Sequence, residues 1–208
     1  MANSREKLIQ AAIDLILSRG FSSTTVDEIC AAAGVAKGSF YYAFDSKEEL
    51  GVAAMEAFDA HHNDEFGGSG FLDEPDPLSR FLMLLDFMIA KADTLFKHGC
   101  LLGNMALDIS EEYPLIRKRL SEIFETALSN FEALIAPCLE NAQAKSMPTA
   151  RELSEKLAVQ IEGALVMARA TGDWSFLTRM LKIYRAEFVG LTGPLKNQET
   201  KNLPNVGR

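Results

Sequence analysis

Cysteine is scarce and scattered in this chain, with Cys30, Cys100 and Cys138 the only three among 208 residues. No two lie at the close spacing of a disulfide framework or a zinc site, so neither is expected to hold the fold together. Long apolar runs are missing as well: no segment reaches about 18 residues without a charge, which argues against a membrane span. The opening MANSREKLIQAAIDLIL places Glu6 and Asp14 among its apolar positions and has no small-residue cleavage pattern, unlike a secretory leader. A cytoplasmic protein with no membrane partner is expected. Positive charge is in deficit too, with 21 Lys and Arg against 29 Asp and Glu and a net charge of −8. A surface that bound nucleic acid all over would show the opposite balance, so any such site must be local. No glycine-rich phosphate loop or nucleophile motif appears, and neither an enzyme nor a cofactor is expected.

What is present is helical periodicity. Leu8, Ile9, Ala12, Ile13 and Ile16 recur at steps of three and four, and Gly20 stops that helix. Thr24, with Asp27 three residues on, is placed to cap a second helix ending at Gly34. After GVAKG comes a short third helix around SFYYAF, and SKEE (Ser46 to Glu49) opens a fourth. The glycines and prolines of EFGGSGFLDEPDP then forbid a continuous helix. Beyond them, periodic segments cover 77–97, 100–111, 114–141, 149–170 and 173–191, with Pro137 expected to kink or end the third. The expectation is an all-α chain of about nine helices: a small unit at 1–48, a linking helix at 49–66, a loop at 67–76, a larger helical unit at 77–192 and a disordered tail at 193–208.

Two short helices joined by a tight, glycine-started turn form a helix-turn-helix, whose second helix enters the major groove of DNA. The stretch TTVDEICAAAGVAKGSFYYAFDSKEEL, Thr24 to Leu50, resembles the DNA-binding signature of the TetR family of transcriptional repressors. The resemblance covers about the first 55 residues. It implies a ligand-responsive regulator that binds a palindromic operator on double-stranded DNA as a homodimer and is released by a small-molecule inducer. Val26, Ile29, Ala33, Val35, Phe40 and Phe44 read as core. Lys37, Gly38, Ser39, Tyr41 and Tyr42 read as the DNA-contacting start of the recognition helix, with Thr25 and Lys47 as phosphate clamps. Ala43 stands where many family members carry histidine or tyrosine, so operator preference does not transfer.

In the larger unit, Leu157, Ile161 and Leu165 on one helix and Leu177, Leu181, Tyr184 and Phe188 on the next are expected to build a four-helix interface with a second copy. Phe87, Met88, Phe96, Met105, Phe124 and Met167 are candidates for an inducer pocket for a mostly apolar or electrophilic molecule. KHGCLLGNMALDIS resembles a subgroup of the family that includes the electrophile-responsive repressor of N-ethylmaleimide reductase and the repressor of acrylate utilisation. Cys100, at a helix start beside Lys97 and His98, is thus a possible sensor with a lowered thiol pKa, set against a plain structural role. The rival reading is an all-helical metal-binding protein or enzyme using Asp59, His61, His62 and Glu65, which lie about one helical turn apart.

Overall fold

The computed structural model describes residues 3–109, 112–140 and 147–193. Among them the chain is all α, as its periodicity predicts, with nine α-helices and no strand. The first four are α1 (Ser4–Arg19), α2 (Val26–Ala33), α3 (Lys37–Ala43) and α4 (Lys47–Gly67); α5 (Pro77–Leu95) and α6 (Leu101–Asp108) follow, then α7 (Pro114–Leu139), α8 (Ala150–Thr171) and α9 (Ser175–Thr192). A turn of 3-10 helix, Phe71–Asp73, lies in the glycine- and proline-rich connection before α5. Pro137 sits in the last turn of α7, where it ends the helix soon after. The expected disordered tail falls, past Gly193, outside the described residues.

Local chemistry sets the helix ends. Asn3 and Glu6 form a capping box on α1, as do Thr149 and Glu152 on α8. The cap of α2 is Thr25, not Thr24: its hydroxyl accepts from the Glu28 amide, and Glu28 answers the Thr25 amide. Thr24 is buried instead and donates to the Gly20 carbonyl at 2.7 Å. Of two adjacent threonines only one can face the helix start, and the inward one closes the preceding turn. Gly34 ends α2 at φ 64°, a left-handed conformation that glycine adopts without strain.

Ile29, Phe40 and Phe44 are fully buried with Leu8, Ala12 and Ile16 of α1, so α2 and α3 rest on the inner face of α1. The amino end of α4 binds this group to the rest. Gly51 lets the Phe21 ring and Ile116 of α7 close on α4, since a Cβ there would lie 2.8 Å from one and 2.9 Å from the other. Glu48 accepts from the amides of Leu115 (2.7 Å) and Ile116 (3.3 Å), supplying the start of α7 with the cap its own Tyr113 does not provide.

The two last helices do not present the residues expected of them. Leu157, Ile161, Leu165, Leu177, Leu181, Tyr184 and Phe188 are all buried in the subunit's own core. The Tyr184 hydroxyl donates to the Leu153 carbonyl at 2.8 Å, and its ring stacks over Phe188. These side chains join α8 to α9, and α5 covers α9 through Phe81, whose ring is 4.6 Å from Phe188. None is free for a second copy. The large apolar residues that α8 and α9 do expose are Val159, Val166, Met167 and Ile183.

Gly51→Ala checks the seam. Overpacking costs about 1–3 kcal/mol, against a gain of up to ~1 kcal/mol in helix propensity, so thermal melting should show net destabilisation. A raised midpoint would mean that α4 has room there.

Candidate nucleic-acid interface and effector cavity

The helix-turn-helix places its functional side chains unequally. Phe40 and Phe44 face inward, and the helical spacing then turns Tyr41 and Tyr42 outward. Tyr42 is 94% exposed and Tyr41 58%, the latter braced edge-on against Phe40 at 5.2 Å. Lys37 opens α3 on the same exposed surface, its ammonium 2.6 Å from Asp27 of α2, and this carboxylate raises the lysine's pKa. Gly38 is exposed with open space where a Cβ would stand, and Ser39 is half-buried. These five therefore form one surface.

Thr25 and Lys47 each have partners within the chain. The Thr25 hydroxyl donates to Glu28 at 2.7 Å, so a carboxylate already occupies the start of α2. Lys47 has its ammonium 4.3 Å from the Phe21 ring centroid and 5.9 Å from that of Tyr113, half-buried, with its pKa lowered by burial. Lys47, expected as a phosphate clamp, thus has its cation at an aromatic seam, which its apolar stem also favours.

A cavity of about 460 Å³ lies among α4, α5, α7 and α8. Its aromatic wall includes Phe58, Phe66, Phe96, Phe124 and Phe131; Asp59, His62, Asn63, Asn130 and Glu162 are the polar groups with Cys100. Of the residues expected there, Met88, Phe96 and Phe124 line it. Phe87 packs on Phe66 instead, Met105 is sealed in the core, and Met167 is 46% exposed on the outer side of α8. Glu162 was not anticipated. Its signal was present, since Ala158, Ile161 and Glu162 share one helical face at steps of three and four, and all three line the cavity.

Cys100 caps the start of α6, yet its thiol pKa is pushed well above the usual range. Burial is the larger cause, and the neighbouring Glu162 carboxylate adds to it. The premise of a lowered pKa is corrected, because desolvation and a like charge outweigh the helix start, and neither Lys97 nor His98 is among the causes of the shift. Burial also raises the Cys30 thiol and takes Cys138 up to about 11.

The metal reading has no geometry to stand on. His62 has both ring nitrogens on main-chain carbonyls, Nδ1 3.0 Å from Phe58 and Nε2 3.2 Å from Leu95, while His61 and Glu65 are exposed on the other side of α4. No group of three or more His, Cys, Asp or Glu among the described residues could hold a metal ion. Nor is any described helix long and apolar enough to cross a membrane.

Residues 8–54 match the model of the bacterial regulatory proteins of the TetR family, and residues 77–182 that of the C-terminal domain of LmrA/YxaF-like transcriptional regulators. The chain is 31% identical over 174 residues to the transcriptional regulator AcuR of Cereibacter sphaeroides, covering 80% of this chain and 76% of that protein. It is 26% identical over 194 residues to the transcriptional repressor DhaR of a Mycobacterium species (strain GP1), covering 93% and 96%. The fold is similar to that of the reduced form of NemR from E. coli, with a TM-score of 0.70 and 23% identity over 91% of this chain and 97% of the other. Its relatives are transcriptional regulators and not enzymes. With a helix-turn-helix at its amino end, a larger all-helical portion behind it and family models matching both, the chain belongs to the TetR family of transcriptional regulators.

Proposed function

We propose that the protein is a cytoplasmic, ligand-responsive repressor that binds a palindromic operator as a homodimer and is released when a small, mostly apolar inducer fills the cavity. Residues 1–48 act as the reading head, 49–66 as the link to the cavity, and 77–192 as the ligand-binding and dimerisation unit. One observation carries this reading: an almost fully exposed Tyr42 stands beside Tyr41 and Lys37 on a helix whose other face is sealed into a core. A solvated tyrosine at that place has no folding role. It supplies a ring and a hydroxyl to a partner's sugars and phosphates, while Lys37 and Ser39 supply donors and Gly38 leaves room for close approach.

One reading head makes few contacts, and specific binding at physiological salt calls for two, about one DNA turn apart. The face that would pair them is the outward one. Val159, Gly163, Val166, Met167 and Ala170 follow steps of three and four along α8, and Ile183 continues the apolar surface on α9. Gly163 meets open space within the subunit, so nothing inside the chain requires a glycine there. Close approach of a second helix would.

Mobility shifts with DNA from the protein's own promoter test the reading head. Tyr42→Ala and Lys37→Ala should each weaken specific binding by about 1–3 kcal/mol where a base contact is lost. Asp27→Asn, which frees Lys37 and removes a repelling carboxylate, should strengthen binding. Unchanged binding in all three would remove this surface from consideration.

Val166→Arg should give a folded monomer with lost operator affinity, whereas Leu165→Arg, one residue back, should unfold the subunit, because an unpaired buried charge costs several kcal/mol. Light scattering and circular dichroism separate the two. A persistent Val166→Arg dimer would place the interface elsewhere.

The inducer binds without a covalent bond, since burial and the Glu162 carboxylate push the pKa of the thiol in the cavity wall well above its usual range. Treatment of the native protein with a maleimide at neutral pH should label Cys138, the most exposed of the three thiols, ahead of Cys100. Peptide mass spectrometry reads the order, and preferential labelling of Cys100 would restore it as an electrophile sensor.

A further inference from the structure

The cavity's polar lining is weighted toward acids. Glu162 and Asp59 both line it, and no Lys or Arg does. His62 adds no free donor, since both its nitrogens already face main-chain carbonyls. A carboxylate can accept about four hydrogen bonds; the group set against Glu162 is the Cys100 thiol, a weak donor. Burial in turn raises the carboxyl pKa of Glu162. The position is nonetheless a held one. Gly103 of α6 lies so close to Glu162 Oε2 that any Cβ at 103 would displace the carboxylate. Asp59 is likewise raised by burial, tempered by Arg119, His62 and Asn63. Around these two acids stand the faces and edges of Phe58, Phe66, Phe96, Phe124 and Phe131.

We propose that the ligand of this cavity is a lipophilic organic cation, its charge set against Glu162 and Asp59 and its apolar body against the phenylalanine walls; this rests on the reading of the cavity as the inducer site. The alternatives fit less of what is there. An anion would face two acidic side chains with no Lys or Arg among the lining residues to offset them. A neutral apolar molecule would fill the volume and leave Glu162 with a thiol for company. A small hydrated metal cation could not use five aromatic rings. A soft, weakly hydrated organic cation loses little on leaving water, gains a desolvated carboxylate, and is attracted to ring faces.

The test uses two molecules of the same shape that differ in charge, phenyltrimethylammonium and tert-butylbenzene, titrated calorimetrically into the full-length protein. The cation should bind at least about tenfold more tightly than its neutral isostere. Glu162→Gln should keep the affinity for tert-butylbenzene and abolish most of that preference, and Asp59→Asn should reduce it. Should Glu162→Gln fail to fold, the Asp59→Asn comparison decides alone. Equal binding of the two molecules, or a preference that survives both substitutions, would overturn the charge assignment and leave the cavity as an apolar inducer site. If neither molecule binds, the cavity itself is not the ligand site and both readings fall together.

Discussion

Phe21 lies in the turn between α1 and α2, yet its ring is buried against helices from both parts of the chain. Gly51 of α4 meets one edge, Tyr113 at the start of α7 packs on it at 87° with centroids 5.0 Å apart, and the Lys47 ammonium sits over it. A single side chain therefore fixes where the three amino-terminal helices stand relative to the cavity helices. Polar ties gather around this ring. Asp108, the last residue of α6, accepts from the Ser22 amide at 2.6 Å, and its carbonyl accepts from the Ser22 hydroxyl at 3.0 Å. Arg169 of α8 reaches the Leu17 carbonyl of α1 as well as Asn104 of α6. Each tie is solvent-accessible and worth about 1 kcal/mol, whereas the ring and its neighbours contribute burial that cannot be lost in part.

That division has a mechanical consequence. A seam of one packed ring and several weak ties has few intermediate positions: the ring is seated or it is not, and the ties exchange with water at small cost. Helix α6 is short and spans the distance between the two sites. Its first residues, with Cys100 and Leu102, line the cavity, and its last, Asp108, holds the turn that carries Phe21. On the proposed reading, a ligand displacing Glu162 presses on Gly103 in the middle of that rod. The size of the response is limited by the ligand's differential affinity for the two arrangements, since equal binding to both would shift nothing.

Much of this was legible in the residues and some was not, for physical reasons. The helices announced themselves because apolar side chains at steps of three and four must find a core, and glycines at 20 and 34 ended them where positive φ was needed. The exposed pair Tyr41 and Tyr42 followed from the inward Phe40 and Phe44. Periodicity failed on α8 because that helix is apolar on two sides. One side, with Leu157, Ile161 and Leu165, is needed to complete the subunit; the other, with Val159, Val166 and Met167, is not, and a sequence gives both the same weight. The aromatic seat of Lys47 is not legible in the sequence, because a lysine at a helix start has no address until the side chains of remote segments, Phe21 and Tyr113, arrive beside it. Cys100 was misjudged in sign. Helix start and nearby cations are visible in sequence, whereas burial and the approach of Glu162, 62 positions along the chain, are not.

The acidic chain and its anionic partner can be reconciled at the level of single groups. On α2 and α3 the carboxylates are not scattered at random: Glu28 is held by Thr25 and Arg19, and Asp27 is held by Lys37. Both serve local ends, capping one helix and restraining the lysine of the next, so the proposed reading surface carries its own neutralising charges. Contact with phosphate would exchange Asp27 for a phosphate oxygen at Lys37, leaving the aspartate to water. The net gain from that exchange is smaller than from a free lysine, and each phosphate neutralised adds only about 0.9 to the salt slope. A surface built this way binds weakly where nothing but charge is offered. On the proposed reading, what remains to favour one DNA sequence over another is the fit of Tyr41, Tyr42 and Ser39, which salt screens far less, and this suits a regulator of acidic overall charge.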